Sequence, residues 1–225
     1  MLTRDDKAIR EAALPWYGKT VVGAYLKSRG ARYGEDFVEL ILEGYQTYVD
    51  GSARASMIVA GEALLRVLYA RIAEILQEGP LTVPHGKRII TIRPSSVYDL
   101  PDELTFAQAE RALNSYIDSR VYEQVTAVRF LRNRAAHGDL PLLDEWDPDD
   151  LRSETDFFSL LSGKISIAEG YRFYRANTWI TLAIRDHPCN TLHELSMGEK
   201  LAVIQQLLVI SVIQQLFPSG EVGKS

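Results

Sequence analysis

The stretch Ala53-Arg54-Ala55-Ser56-Met57-Ile58-Val59-Ala60-Gly61-Glu62-Ala63-Leu64-Leu65-Arg66-Val67-Leu68-Tyr69-Ala70-Arg71-Ile72-Ala73-Glu74-Ile75-Leu76-Gln77 decides the fold. Its helix propensity is high throughout, and Ile58, Leu64, Leu65, Leu68, Ile72, Ile75 and Leu76 recur at spacings of three, four and seven. That period belongs to a helix with a buried face. Gly51 stands before it and Gly79-Pro80 ends it, so the spacing predicts a long core helix that needs other helices around it.

Working outward, residues 36–49 read as a shorter amphipathic helix. Residues 3–14 read as a polar helix stopped by Pro15 and joined loosely to the rest. Residues 18–34 fit no single element. On the other side, Pro80, Pro84, Pro94 and Pro101 surround the β-branched run Arg88-Ile89-Ile90-Thr91-Ile92-Arg93. This predicts an irregular insertion over 79–101 with one strand or a hairpin. Thr105 is a candidate N-cap for two helical segments, 106–117 and 119–136, with Gly138 as the C-terminal cap. After an acidic loop, helices are expected at 166–185 and 197–217, the second opened by the Ser196 and Glu199 capping box. This last helix is apolar nearly all round, which places it either at the centre of a bundle or against a second subunit. The fold class expected is therefore all-α, a helical bundle over 35–217 with a small irregular or β insertion and an N-terminal extension, 1–34, packing on it.

The chain has 225 residues, 46% of them hydrophobic, enough for one substantial core. Cys189 is the single cysteine, so an internal disulfide is excluded. With no signal-peptide pattern at the N-terminus, a reducing, cytoplasmic setting is expected. The most apolar stretch, 201–217, is interrupted by four glutamines and falls short of the ~20 residues that a bilayer core requires. The net charge of −5 is uneven: residues 144–156 hold seven acids and one base, and the remainder is close to neutral. A local cationic groove for a nucleic acid is therefore compatible with the overall charge.

The chemistry concentrates in Leu131-Arg132-Asn133-Arg134-Ala135-Ala136-His137-Gly138, at the end of a helical stretch. On a helix advancing ~100° per residue, Arg129, Asn133 and His137 form one stripe with Arg132 beside it. Ala135 and Ala136 leave room for a substrate backbone or a second helix. A cationic imidazole in the last turn would meet the negative end of the helix dipole. Guanidinium, amide and imidazole together suit RNA cleavage by the RNA's own 2′-hydroxyl. A base removes that proton, an acid protonates the leaving 5′-oxygen, and cations stabilise the phosphorane without a metal. One imidazole serves both proton roles poorly, which makes two copies facing across a two-fold axis, a homodimer, the natural expectation. The same residues also fit a structural use, capping carbonyls and bridging to acids such as Glu123 or Asp139.

Other groupings carry less. Glu62 either pairs locally with Arg66 or stands behind Arg132 as a second carboxylate layer. His187, Cys189 and His193 match no common zinc spacing and lack a fourth ligand, so no metal or cofactor is expected. Tyr171-Arg172-Phe173-Tyr174-Arg175 could stack bases but also reads as a helix with a buried aromatic face. Gly18-Lys19-Thr20 lacks the first glycine of a phosphate loop, since Ala13 stands there. The carboxylates at 144–150 lack calcium-loop spacing.

The string Leu131-Arg132-Asn133-x-x-Ala136-His137-Gly138, preceded by the helix carrying Gly61-Glu62-Ala63-Leu64-Leu65, resembles the HEPN superfamily. The resemblance spans residues 35–215 in architecture and about eight residues in specific sequence. It implies a helical bundle that dimerises and a metal-independent ribonuclease with an Arg-polar-x-x-x-His motif, in a toxin or defence setting. Arg132 would then contact the scissile phosphate, Asn133 would be the polar motif residue and His137 the acid or base. Arg129 and Arg134 would bind the RNA backbone. The implied partners are RNA, a second copy of the chain, and an antitoxin or nucleotidyltransferase. The alternative is a non-catalytic HEPN-like binding or scaffold module acting through dimerisation or partner binding, or a regulatory subunit using the apolar C-terminal helix as its contact face.

Overall fold

The helical periods that fall on described residues correspond to helices. The structure is a computed structural model that describes residues 4–14, 36–85, 88–93, 100, 104–137 and 194–217. Numbered in chain order among these, the elements are α1 (Arg4–Ala13), α2 (Asp36–Val49), α3 (Ala53–Leu76), β1 (Leu81–His85), β2 (Arg88–Ile92), α4 (Phe106–Leu113), α5 (Ser119–His137) and α6 (Met197–Leu216). The fold is mostly helical with one small antiparallel sheet.

Helix α3 is the axis of the molecule. It packs against α2, α4, α5 and α6, and the fully buried Met57, Leu64, Leu68, Ile72 and Leu76 lie along its whole length. A helix enclosed on several sides needs apolar residues beyond one stripe, which is why its pattern is so dense. Helices α2 and α3 form a hairpin through Gly51, whose φ of 92° is a conformation that favours glycine. There the Gly51 and Ser52 N–H groups donate to the Tyr48 and Thr47 carbonyls at 2.9 and 3.0 Å.

Helix α5 runs antiparallel to α3. Near its middle of contact Gly61 faces Arg132, while Arg54 at the start of α3 reaches Ala135 and Ala136 at the end of α5. Helix α6 runs antiparallel to α5, with Gln205 beside Val128 and with Ser211 and Gln215 on Gln124. The apolar α6 is thus buried by α3 and α5 of its own chain. Of the two places open to it, the inside of the bundle is where most of its described residues lie.

Capping follows the sequence. The Glu199 carboxylate accepts from the Ser196 N–H and hydroxyl at 3.0 and 2.7 Å, and Gln108 Oε1 accepts from the Thr105 N–H and hydroxyl, both at 2.8 Å. The segment expected at 106–117 ends earlier, at Leu113, in turns that bring the Tyr116 and Ile117 N–H groups onto the Leu113 carbonyl.

The insertion is a hairpin. Strands β1 and β2 pair with Leu81 opposite Ile92 and Val83 opposite Ile90. Leu81, Val83 and Ile92 are buried while Thr82 and Thr91 face out, the alternation of a sheet covered on one side. The hairpin lies against α4, where Arg111 Nη1 donates to the Pro84 carbonyl at 3.3 Å. Helix α1 is held more firmly than a loose joint. Arg10 is buried, its Nε donates to Glu199 Oε1 at 2.6 Å, and Ala13 and Leu14 are fully buried. The helix expected at 166–185, the acidic loop and the His187, Cys189 and His193 group lie outside the described residues.

Candidate active site at the end of helix α5

Helix α5 is enclosed from Gln124 to Leu131, where every residue is buried, and opens over its last two turns: Arg132, Asn133 and Arg134 are half-buried, and Ala136 and His137 are exposed. The Arg-Asn-x-x-x-His motif therefore begins where the helix emerges from the bundle. This change in burial is what makes its polar groups reachable.

Arg132 is the anchor. Its stem lies against Gly61 of α3, where an added Cβ would stand only 2.4 and 2.5 Å from the Arg132 Cγ and Cβ. Glycine is required at 61 because the arginine occupies the volume of a side chain. The guanidinium has Nη1 on Asn133 Oδ1 at 3.3 Å and Nη2 at 3.9 Å from Glu62 Oε2. The other Glu62 oxygen faces Arg66 at 3.6 Å. Both readings of Glu62 are thus present in one carboxylate. It makes the local pair with Arg66 and stands behind Arg132, at distances where a partly exposed pair is weak.

Arg134 sets its guanidinium over the Phe130 ring, 5.3 Å from the centroid, a cation–π arrangement that holds the charge near the surface. His137 ends the helix, solvent-exposed. Helical geometry sets His137 about 40° around the axis from Asn133 and about 140° from Arg132, so amide and imidazole share a face while the guanidinium faces another side.

Arg129 belongs elsewhere. Expected on the substrate face, it is buried and paired through Nε with Glu110 Oε2 of α4. The Thr126 hydroxyl donates to the other Glu110 oxygen at 2.5 Å. The stripe from Arg129 to His137 passes from the interior to the surface, and at Arg129 the fully buried Glu110 carboxylate demands a cation. Arg129 is thus an internal tie and offers nothing to a substrate.

Two residues of this region have no sign in the local pattern. Arg54 donates from Nε to the Ala135 carbonyl at 2.6 Å and from Nη2 to the Ala136 carbonyl at 3.4 Å. It satisfies end carbonyls of α5 and adds a cation to the same end of the bundle. Arg54 thus brings α3 of the same chain to the Ala135 and Ala136 carbonyls, while Ala136 itself stays exposed. Gln205 of α6, fully buried, donates from Nε2 to the Met57 and Val128 carbonyls at 2.8 and 3.4 Å. Their partners are 81 and 77 or more residues distant in sequence, so only the folded bundle brings them to the motif.

Among the described residues there is no cluster of three or more histidine, cysteine or acidic side chains able to hold a metal ion. No helix there is long and apolar enough to cross a membrane. Searches against protein-family models, curated proteins and solved structures gave no match to this chain.

Proposed function

We propose that the chain is a HEPN-type, metal-independent endoribonuclease of the cytoplasm, working as a homodimer in a toxin or defence role. Arg132 binds the scissile phosphodiester, Asn133 orients Arg132, and His137 transfers the proton. Arg134 binds the RNA backbone and Glu62 steadies the guanidinium. The observation that carries this reading is the grouping at the exposed end of α5. A guanidinium fixed by Asn133 and leaning on Glu62 lies on the same two turns as an accessible imidazole.

In the reaction, a base takes the proton of the 2′-hydroxyl, and the 2′-oxygen attacks phosphorus. The P–O5′ bond breaks, and an acid protonates the departing 5′-oxygen. The products are a 2′,3′-cyclic phosphate and a 5′-hydroxyl. Arginine is suited to the phosphorane because its planar fork can meet two equatorial oxygens at once. Because Arg132 and His137 lie on different sides of α5, a second copy facing the first would supply the remaining proton-transfer group.

The test is RNA cleavage by the purified protein in EDTA, with the cyclic phosphate identified at the new 3′ end. A 2′-deoxy sugar at the scissile position blocks it. His137→Ala lowers kcat by roughly 10²-fold or more and, since His137 is exposed, leaves folding unchanged. Cleavage that needs a divalent metal, or that survives His137→Ala, overturns the assignment.

A second reading is favoured by the ties that Arg132 and Arg134 already make to Asn133, Glu62 and Phe130. These suit a non-catalytic module whose cluster receives a partner such as an antitoxin or nucleotidyltransferase. A folded, RNA-inactive wild type that binds such a partner through this surface would establish it.

A further inference from the structure

Arg132 and Gln205 approach the same α-carbon from two helices. The position of a Cβ on Gly61 lies 2.4 Å from Arg132 Cγ and 3.4 Å from Gln205 Nε2. The Gln205 amide also touches the carbonyl of Val128, one helical turn before Arg132 on α5. Helical side chains lean toward the N-terminus of their helix, so the Arg132 stem covers that same turn. The Arg132 stem and the Gln205 amide are neighbours on the inner side of α5, while the end of the guanidinium reaches solvent.

Each leaves one buried polar atom without a partner among the described residues, Nε of Arg132 and Oε1 of Gln205. The two atoms are complementary: arginine Nε–H only donates and a glutamine carbonyl only accepts. Turning the amide over would not help Gln205. Its NH2 group serves the Met57 and Val128 carbonyls, and an oxygen in its place would face two oxygens. An unmatched donor and an unmatched acceptor buried on two side chains that meet at Gly61 carry a desolvation penalty that a link between them removes.

We propose that Gln205 is a positioning residue for Arg132, its Oε1 linked to the Arg132 Nε–H through one shared water. Nε, Nη1 and Nη2 lie in one plane, so fixing Nε from the interior fixes the plane in which Nη1 and Nη2 meet the surface. Gly61 is the opening through which α6 reaches the motif. The hydrogen-bond assignment stands by itself, and its consequence for cleavage rests on the ribonuclease reading above.

The experiment follows the Arg132 Nε–H by 1H–15N NMR of the full chain, the signal being assigned by its loss in Arg132→Lys. In the wild type this proton exchanges slowly with solvent. In Gln205→Met, which keeps the length and removes the acceptor, exchange accelerates by roughly tenfold. Gln206→Met is the control. Gln206 is equally buried on α6 but serves Ser56 and lies against Gly44, so its loss leaves the Arg132 signal unchanged. If Gln205→Met does not fold, the wild type decides alone: an Nε–H exchanging as fast as that of a solvated arginine overturns the assignment. So does a rate unchanged by Gln205→Met, or one raised equally by Gln206→Met. Where the wild type cleaves RNA, Gln205→Met lowers kcat and leaves KM in place. Absence of cleavage by the wild type defeats the functional reading and leaves the exchange result to stand or fall separately.

Discussion

Two arginines three residues apart, Arg129 and Arg132, have opposite uses, and burial decides which. Arg129 is enclosed with Glu110, both nearly inaccessible, whereas Arg132 keeps about a third of its side chain in solvent. Removing one member of a buried pair strands the other charge, which costs about 3–5 kcal/mol. Arg129→Met is therefore expected to destabilise the protein by that amount, while Arg132→Met costs less, about 1–2 kcal/mol, since it ends a weak, part-exposed pair and leaves the Gln205 carbonyl unmatched. Urea unfolding of both variants checks this, and equal losses would contradict the division. The motif residues were legible because their types and spacing are local. The fate of Arg129 was not, because a helical stripe gives angle without depth. Its partner lies 19 residues away on another helix, and nothing in the spacing of α5 marks where the bundle closes over it.

At the scale of elements, the sequence revealed helices through their period and caps but gave little about which end of one meets which end of another. Ser196 and Glu199 are an example. They were readable as a capping box, yet Glu199 also receives Arg10 from α1 across 189 residues. That second use turns the polar helix α1 from an appendage into a packed element. Burial pushes the Glu199 carboxyl up, but hydrogen bonds from Ser196 and from Arg10, with the charge of Arg10, outweigh it and hold it below its ordinary value of 4.5. A carboxyl lowered on folding stabilises the native state fully above its unfolded value and ceases to do so as pH falls through the folded value. The tie between α1 and α6 is thus expected to be complete at neutral pH and lost on acidification below about 4.5. Hydrogen exchange in α1 should rise over that window in the wild type. In Glu199→Gln the rise is absent, because the titrating group is gone and α1 is already looser at neutral pH. A wild-type profile for α1 that does not change with acid would show that other contacts carry it.

On the scale of the whole molecule, the described residues of one chain do not by themselves complete the candidate site. One imidazole stands at the end of α5 and is exposed, Arg132 is set on another side of the helix, and the apolar α6 is consumed by the interior. In the proposed homodimer the copies would meet at the polar end of the bundle, where Arg54, Asn133, Arg134 and His137 gather. Such an interface would be charged, and charged interfaces respond to salt and dilution. If two copies are needed for cleavage, the rate per chain is constant at high concentration and falls in proportion to concentration once the dimer dissociates. Ultracentrifugation would show the 25.3 kDa chain replacing a species of twice that mass over the same range, and added salt would move both transitions to higher protein concentration together. A rate per chain that stays constant while only the 25.3 kDa species is present would mean that one end of α5 carries both proton transfers. The imidazole would then have to act twice in a turnover, and the two-fold arrangement would have no chemical purpose.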